Sequence, residues 1–242
     1  MTIVERALEL VPDNSRIGLG SGRTAHAFIT ALGERVRKGR LKVQGVPTSE
    51  ETARWSREEG IPLLTLSEAE TLELTIDGAD EVDPQLNLIK GYGRDMVREK
   101  IVAASSRQLI ILVRDEKIVP QLGTRGKLPV EVVPFALPLC QRRLRELGCE
   151  PVLYYREGAV FVSDNGNHIY DCNIGPIADA AKFEMDIRAI PGVVGTGLFL
   201  GMADIVLVGE GSDFRMIEER KRSESRRRPA PAAGRMQVCQ ST

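Results

Sequence analysis

The strongest constraint on the fold is an alternation of short apolar runs with helical patterns over the first half of the chain. Runs such as "SRIGLG", "LKVQGV", "LELTID" and "QLIILVR" have the length and composition of buried strands. Between them, apolar residues recur at helical spacing, for example Ala25, Phe28, Ile29 and Leu32. Strands that alternate with helices in this way predict an α/β fold with a doubly wound, mostly parallel (Rossmann-like) sheet.

The pattern changes near Leu128, after which two strand-rich stretches each contain a single helix. The order strand, helix, strand, strand, helix, strand is that of a smaller α+β ferredoxin-like subdomain. A last apolar run, "ADIVLVGEG", is expected to return to the first sheet. We therefore predict a Rossmann-like catalytic domain over residues 1–127 plus 199–212, a ferredoxin-like α+β subdomain over 128–198 and a disordered basic tail over 213–242.

Charge, cysteine content and hydropathy narrow the functional classes. Of the 242 residues, those from 220 to 242 carry a net charge of +6, so residues 1–219 carry −7. An acidic globular part does not favour specific binding of nucleic acid. The four cysteines form no CxxC motif and do not pair with histidines, which fits a reducing cytoplasm. No signal peptide or run of ~18 apolar residues is present, so we expect a cytoplasmic protein without a membrane partner.

The segment "GLGSGRTA" joins the end of a strand to the start of a helix. Backbone N–H groups at a helix N-terminus bind anions, and Ser21, Arg23 and Thr24 could add donors and charge. A dinucleotide fingerprint would need glycine where Arg23 stands and an acidic residue after the next strand, so a nicotinamide cofactor is disfavoured. The segment fits a single phosphate or, equally well, a tight turn that needs glycine only for steric reasons.

Four carboxylates, those of Asp77, Asp80, Glu81 and Asp83, follow the apolar strand in "LTIDGADEVD". Ligands of such sheets bind beyond the carboxyl ends of the strands. In a tight turn Asp77 and Asp80 could converge, which would drive their pKa values apart and provide one acid and one base. The residues alone favour a solvated acidic turn over this pair, and Mg²⁺ binding is a third, weaker interpretation.

The segment "KGYGRDMVREK" places a lysine beside two glycines and before a helix. Lys90 with the backbone N–H groups near Gly91 and Gly93 could hold an oxyanion. The predicted buried face of the helix consists of Met96, Val97, Ile101 and Ala104. Glu99 is then expected on the exposed face, and it is a candidate base only if the cleft lies on that side. Lys117, after the next apolar strand, is by itself an ordinary surface lysine.

The order of these motifs resembles the type A ribose-5-phosphate isomerase family. The resemblance rests on the glycine loop, "DGADE", "KGYG" with "REK", "DEK", "LPVEVVPFA", "SDNGN" and "IPGVVGTGLF", over roughly residues 15–211. It implies an aldose–ketose isomerase that interconverts ribose 5-phosphate and ribulose 5-phosphate through an enediolate, in the non-oxidative pentose phosphate pathway. It also implies that no metal or organic cofactor takes part, and that the chain forms a homodimer or a dimer of dimers.

The same resemblance implies roles for individual residues. Glu99 would move the proton between C1 and C2, and Asp77 and Asp80 would serve ring opening and proton transfer at the hydroxyls. Lys90 would stabilise the enediolate oxygen together with backbone N–H groups. The implied contacts with substrate and phosphate are Gly20, Ser21, Gly22, Arg23, Thr24, Gly91, Gly93 and Lys117.

The chain departs from the family pattern at two places. Arg23 stands where the family has a small hydroxyl residue, and Tyr92 replaces a glycine and is followed by Arg94 and Asp95. A tyrosine side chain that pointed inward would narrow the cleft, so the substrate range is left open. The sequence does not predict a role for the basic tail.

Rival functions on related folds are sugar-phosphate deamination, lactone hydrolysis, CoA transfer and sugar-phosphate sensing. A deaminase needs a catalytic histidine, and neither His26 nor His168 has a partner by spacing. A transcriptional sensor needs a helix-turn-helix, for which residues 1–15 are too few. Ligand binding without ketose formation would favour the sensor.

Overall fold

A computed structural model describes residues 1–210 and 213–218 of the chain. Within these ranges the α-helices are α1 (Ile3–Glu9), α2 (Gly22–Arg37), α3 (Glu50–Glu58), α4 (Leu66–Ala69), α5 (Met96–Ala104), α6 (Leu137–Glu146) and α7 (Ala180–Arg188). The strands are β1 (Ser15–Leu19), β2 (Val43–Pro47), β3 (Leu74–Gly78), β4 (Glu81–Val82), β5 (Leu88–Ile89), β6 (Leu109–Val113), β7 (Lys127–Val132), β8 (Glu150–Leu153), β9 (Tyr155–Arg156), β10 (Ala159–Val160), β11 (His168–Asn173), β12 (Val193–Thr196), β13 (Leu198–Phe199), β14 (Ile205–Glu210) and β15 (Asp213–Glu218). Every helix in the described ranges is too short or too polar to cross a membrane.

The main sheet has six strands in the order β15-β14-β6-β3-β1-β2. The neighbours from β14 to β2 pair in parallel, and only the contact between β14 and β15 is antiparallel. The predicted fold class is therefore confirmed. Because β1 and β3 run side by side in the same direction, the glycine loop after β1 and the carboxylates after β3 open at the same edge.

Helices α1 and α2 cover one face of this sheet. The predicted helical stripe of α2 is confirmed, since Phe28, Ile29 and Leu32 are fully buried against strand residues such as Ile17 and Ile76. Burial of each such side chain contributes about 1.5–3 kcal/mol to folding. This packing fixes the direction of α2 and therefore the position of its N-terminus at the edge of the sheet.

A second, antiparallel sheet of four strands has the order β12-β7-β11-β8. Helices α6 and α7 cover one face of it, with Leu144 and Ile187 buried in the same apolar cluster as Val130. From the other face, Ile169 packs in one cluster with Met96 of α5. The order of elements is the predicted one, while the exact boundaries of the two domains remain a prediction.

The prediction of a disordered tail from residue 213 is wrong for its first six residues. Strand β15 (Asp213–Glu218) pairs with β14 and forms the edge of the main sheet, with Ile217 opposite Val206. Composition concealed this strand because edge pairing depends on backbone hydrogen bonds rather than on apolar content. The remaining part of the predicted tail, residues 219–242, lies outside the described residues.

Candidate active site

Three charged side chains meet in the interior beside the edge of the main sheet. The Nζ atom of Lys90 lies 3.0 Å from Oδ2 of Asp77 and 3.2 Å from Oε2 of Glu99. Lys90 also donates a hydrogen bond of 2.6 Å to the carbonyl oxygen of Gly78. All three charged side chains are buried. Buried charges are costly unless they are paired, and they concentrate at functional sites, so this cluster is the first candidate for an active site.

Each member of the cluster comes from the end of a different element. Asp77 lies at the carboxyl end of β3, and Lys90 follows β5, where its backbone N–H donates to the carbonyl oxygen of Gly197 at 2.8 Å. Glu99 lies in the first turn of α5, with its N–H bonded to the carbonyl oxygen of Asp95. The cluster therefore depends on tertiary packing and not on any single motif.

The prediction that Glu99 faces solvent is wrong. Its residue exposure is 4%, whereas Ile101, which was predicted to be buried, is 47% exposed. The buried positions of α5 are Met96, Glu99, Val102 and Ala103. This helix carries apolar residues on most of its circumference, so its apolar pattern does not define one inward face. The Glu99 side chain points inward, where it makes its ion pair with Lys90.

The two carboxylates of the cluster differ in how well they are hydrogen-bonded. Oδ1 of Asp77 accepts the backbone N–H groups of Ser21 (3.2 Å) and Gly78 (2.7 Å). Oε2 of Glu99 is buried and lies 3.2 Å from the Lys90 ammonium, but it accepts no well-aligned hydrogen bond from the described residues. A carboxylate oxygen with an unused lone pair is available to accept a proton.

The two carboxylates, Asp77 and Glu99, also differ in how far their pKa values are raised. Burial raises the pKa of Glu99 well above its usual value, the negative charge of Asp77 adds to this, and Lys90 opposes it. Burial also raises the pKa of Asp77, against Lys90 and the N–H groups of Gly78 and Ser21. Burial alone would lower the pKa of Lys90, but its two carboxylate neighbours outweigh that effect and raise it. Because Asp77 has more donors, a proton that enters the cluster goes first to Glu99.

Asp95, the residue before α5, adds a fourth charge to this environment. Burial raises the pKa of Asp95 to about 7, and the charges of Asp164 and Glu51 contribute. The charge of Asp95 in turn contributes to the raised pKa of Glu99. The sequence presented Asp95 only as a departure from the family pattern. Its position one turn before Glu99 is the signal that could have identified it.

Asp80 makes its contacts outside the cluster of Asp77, Lys90 and Glu99. Its Oδ2 accepts the backbone N–H of Tyr92 at 2.9 Å, and its Oδ1 lies 3.8 Å from Nζ of Lys117. The side chain is 18% exposed. The carboxyl group that is coupled to Asp77 through a shared lysine is thus that of Glu99, while Asp80 forms a separate contact with Lys117.

The other two carboxylates after β3 hold backbone segments. Glu81 is fully buried and accepts the N–H groups of Gly123 (2.6 Å) and Arg125 (2.7 Å). Asp83 accepts the backbone N–H of Asn87 at 2.8 Å. The run of four carboxylates therefore divides into two near the cleft and two that fix turns, a division that sequence spacing does not reveal.

The N-terminus of α2 provides unpaired backbone donors. The helix starts at Gly22, whose φ is +85°, and its N-cap Ser21 makes no side-chain capping hydrogen bond. The first N–H groups of a helix have no intrahelical partner, so those of Gly22, Arg23 and Thr24 are suited to an anion. Gly20 packs directly on Asp77, where a Cβ atom would come within 2.3 Å of the carboxylate.

A group of buried hydroxyls supports this loop from behind. The Oγ atom of Ser21 lies 2.7 Å from the hydroxyl of Thr48, 3.1 Å from that of Ser49 and 3.2 Å from that of Thr52. Ser21 therefore uses its donors within the protein instead of presenting them to a ligand. The signal for this group in the sequence is the hydroxyl-rich run "TSEET", which directly follows β2 and was not among the predicted site motifs.

Tyr92 does not narrow the cleft. Its hydroxyl donates to the carbonyl oxygen of Lys127 at 3.2 Å, and the Lys127 ammonium lies 4.3 Å from the centre of its ring. The side chain therefore packs on the small sheet. Gly91 and Gly93, on either side of it, line the cleft instead.

Most of the predicted site residues share one cleft of about 130 Å³. Its lining residues are Ser21, Gly22, Arg23, Thr24, Gly78, Ala79, Asp80, Lys90, Gly91, Gly93, Glu99 and Lys117. Of the predicted residues, Gly20 and Asp77 are not in the lining and lie behind it. A larger groove of about 590 Å³ lies between α3, α5 and residues 63–66. We place the site in the smaller cleft because the buried charges face it.

The described residues also bear on metal binding. Within residues 1–210 and 213–218, no three histidine, cysteine, aspartate or glutamate side chains are grouped in a way that could hold a metal ion. The carboxylates near the cleft are instead paired with lysines. That no metal takes part remains a prediction.

Comparisons with known proteins agree with the resemblance. Residues 44–213 match the family model of ribose 5-phosphate isomerase A (phosphoriboisomerase A). The chain is 54% identical over 206 residues to ribose-5-phosphate isomerase A of Roseiflexus sp. (strain RS-1), covering 84% of this chain and 88% of the relative. It is 52% identical over 217 residues to the same-named protein of Gloeobacter violaceus, covering 89% and 94%.

Solved structures give the same result. The structure of ribose 5-phosphate isomerase A from Methanocaldococcus jannaschii is similar with a TM-score of 0.85 at 40% identity, covering 90% of this chain and 96% of the other. A structure of D-ribose-5-phosphate isomerase in complex with phospho-erythronic acid has a TM-score of 0.86 at 35% identity, covering 89% and 95%.

Proposed function

The chain belongs to the ribose 5-phosphate isomerase A family and is an isomerase that interconverts ribose 5-phosphate and ribulose 5-phosphate, and we propose that Glu99 is its catalytic base. The reaction moves a carbonyl group between C1 and C2 of the sugar, so a proton must leave a carbon next to a carbonyl. A positioned carboxylate can take this proton and return it to the neighbouring carbon. Because the proton is returned one carbon over, the sugar is neither oxidised nor reduced overall.

One observation carries this assignment. Glu99 is a buried carboxylate that lines the same cleft as Lys90 and Lys117, and its Oε2 accepts no well-aligned hydrogen bond from the described residues. Its raised pKa makes it a stronger base than an exposed glutamate. General base catalysis requires this combination of a matched pKa and a free lone pair.

We propose that Lys90 and the Gly91–Gly93 backbone stabilise the negative charge that develops during the reaction. Removal of the proton leaves an enediolate, whose oxygens need donors that are already in place. The ammonium of Lys90 is fixed between Asp77 and Glu99, so it is oriented before substrate arrives. Asp77 then acts through Lys90, and it is a positioning residue rather than a group that touches the sugar.

Asp80 and the N-terminus of α2 complete the assignment. Asp80 is the more exposed aspartate, and with Lys117 it is placed to exchange protons with the sugar hydroxyls during ring opening. The backbone N–H groups from Gly22 to Thr24 bind the phosphate, and the exposed Arg23 adds a positive charge. We also propose that phospho-erythronic acid binds here, because its carboxylate resembles the enediolate and its phosphate matches this loop.

The variant Glu99→Gln tests the base. The amide has nearly the same shape but cannot take a proton, so we expect turnover of ribose 5-phosphate to fall by about 10²–10⁴-fold while the protein remains folded. The measurement is ketose formation, with the melting temperature and the affinity for phospho-erythronic acid as checks. Near-normal turnover in a folded Glu99→Gln protein would remove Glu99 from this role.

We further propose that two copies of the chain associate as a homodimer, alone or as a dimer of dimers. Support comes from apolar side chains at one end of β7 and β12, where Phe135 is 96% exposed and Val133 and Val194 are also exposed. Light scattering of the wild type and of Phe135→Asp tests this. A monomeric wild type, or a variant with unchanged mass, would count against this surface as the interface.

We place the protein in the cytoplasm, where it would act in the non-oxidative pentose phosphate pathway. Cys140, Cys149 and Cys172 are free thiols, which fits a reducing compartment. Fractionation of cells with an antibody against the chain tests the location.

A further inference from the structure

Successive residues of the loop between Lys90 and α5 face two different parts of the molecule. Gly91 and Gly93 line the cleft, whereas the side chains of Tyr92 and Arg94 reach the small antiparallel sheet. The cleft-facing backbone is thus held from behind by two side chains that a glycine-rich loop would lack.

Arg94 is the stronger of these two anchors. Its Nη1 and Nη2 atoms donate to Oδ1 and Oδ2 of Asp171 at 2.7 and 2.9 Å, and its side chain is buried. The guanidinium carbon also lies 3.8 Å from the centre of the Tyr154 ring. A fork of two parallel hydrogen bonds fixes both distance and direction, which a lysine could not do.

The backbone of Arg94 has an uncommon conformation at the point where the loop reaches this partner. Its φ of +86° lies in the left-handed region, which is uncommon for residues other than glycine. Its backbone N–H donates to the carbonyl oxygen of Gly91 at 3.0 Å and closes a turn over residues 91–94. Surrounding contacts must hold a residue in such a conformation, and the contact with Asp171 is the most specific one available.

Asp171 is a firm attachment point. It lies in β11, an interior strand of the small sheet, where it is in register with Pro129 of β7 and Val152 of β8. Its Oδ2 also lies 3.5 Å from Nζ of Lys127. Because β11 pairs on both sides, the backbone of Asp171 keeps a fixed position in the sheet.

We infer that Arg94, through its fork with Asp171, is a positioning residue that holds the Gly91–Gly93 backbone in the geometry needed for isomerisation. The small sheet thereby contributes to turnover without supplying a group that touches the sugar. This inference rests on the proposed role of the Gly91–Gly93 backbone. Displacement of a positioned group by about 1 Å can cost ~10²-fold in rate, so a loosened fork should be visible in kcat.

The experiment compares Arg94→Lys, Asp171→Asn and the double variant. Lysine keeps the charge but loses the fork, so we expect kcat to fall by about 10- to 100-fold with KM within about threefold. The double variant should be no slower than the slower single variant, because the two side chains act as one unit. Affinity for a phosphorylated aldonate, which mimics the enediolate, should fall in parallel with kcat, and inhibition by inorganic phosphate should not change.

Two control variants separate positioning from general destabilisation. Lys127→Gln removes the second cation near Asp171 and the cation over the Tyr92 ring, but it leaves the fork and the backbone carbonyl that binds the Tyr92 hydroxyl, so its kcat should fall far less than that of Arg94→Lys. Leu144→Ala loosens the helix layer on the far face of the small sheet, so its melting temperature should fall without a fall in kcat at low temperature. Normal kcat and aldonate affinity in Arg94→Lys, or an equal kcat loss in Leu144→Ala, would overturn the inference. Failure of the proposed base would appear in Glu99→Gln instead.

Discussion

Two buried glutamates of this chain, Glu99 and Glu131, lie in surroundings of opposite character. Glu131 in β7 accepts hydrogen bonds on one oxygen from Oγ of Ser163 (2.9 Å) and the side-chain amides of Asn165 (3.1 Å) and Asn167 (2.9 Å). Glu99 has the Lys90 ammonium nearby, and its Oε2 receives no hydrogen bond from any described residue. Both are almost inaccessible to water.

The difference indicates what each carboxylate is for. A buried carboxylate that accepts three hydrogen bonds stabilises a turn, because every donor around it would lose its partner if it moved. A buried carboxylate with an unused lone pair weakens the fold and retains its capacity to take a proton. The region around Glu131 thus serves stability, and the region around Glu99 serves chemistry.

The largest effect is expected when the cation of the Glu99 region is removed. Lys90→Met would leave Asp77 and Glu99 buried without a positive charge, which should lower the free energy of unfolding by about 3–5 kcal/mol at neutral pH. Turnover should fall by about 10²–10³-fold through loss of the oxyanion donor. Urea unfolding and ketose formation measure the two effects. Stability equal to that of the wild type would show that the lysine does not compensate these carboxylates.

The next largest effect is expected in the pH dependence of kcat/KM, which reports the pKa of Glu99. The raised pKa of Glu99 means that kcat/KM should fall about tenfold per pH unit once the pH drops below that pKa. The acid limb should therefore lie above the value of about 4.3 for an exposed glutamate. An acid limb at or below 4.3 would contradict the raised pKa.

Stability should change with pH in the opposite sense. A carboxyl group whose pKa is raised in the folded state favours folding below its unfolded pKa, and this contribution is lost as the pH rises through the folded value. As the pH rises from about 4.3, the pKa of an unfolded glutamate, to the raised pKa of folded Glu99, the wild type should therefore lose stability relative to Glu99→Gln. Thermal melting of both proteins across the acid and neutral range measures the difference.

The smallest effect on activity is expected in the Glu131 region. Glu131→Ala leaves the three donors from Ser163, Asn165 and Asn167 without their acceptor, so the free energy of unfolding should fall by about 1–3 kcal/mol. Glu131→Gln keeps an acceptor oxygen and serves as the matched control, with a smaller loss. The kcat of both folded variants should stay within about threefold of the wild type. A large loss of kcat in Glu131→Gln would erase the distinction between the two regions.

The sequence predicted the fold class because the alternation of strands and helices leaves few possible architectures. It also indicated the neighbourhood of Asp77 and the glycine loop, because both follow parallel strands whose ends meet at one edge. Lys90 and Glu99 were harder to place. The apolar pattern of α5 covers most of its circumference, so the inward orientation of Glu99 could be seen only once Lys90 was in place.

Other features depend on contacts that are distant in the chain. Tyr92 looked like an obstruction in the cleft, and its packing against Lys127 could not be inferred from local spacing. Strand β15 was missed because half of its residues are charged and the composition after it resembles disorder. In each of these cases the deciding partner lies in another element, and periodicity along one segment contains no information about it.

The contact between Gly20 and Asp77 restricts how this cleft can be redesigned. A side chain at position 20 would push the carboxylate out of line with Lys90, so the anion loop and the proton-transfer cluster cannot be varied independently. A library that seeks a new sugar preference should keep positions 20 and 77 fixed as a pair. Diversity belongs at Arg23, which is exposed at the mouth of the cleft and whose side chain has no such constraint from Asp77.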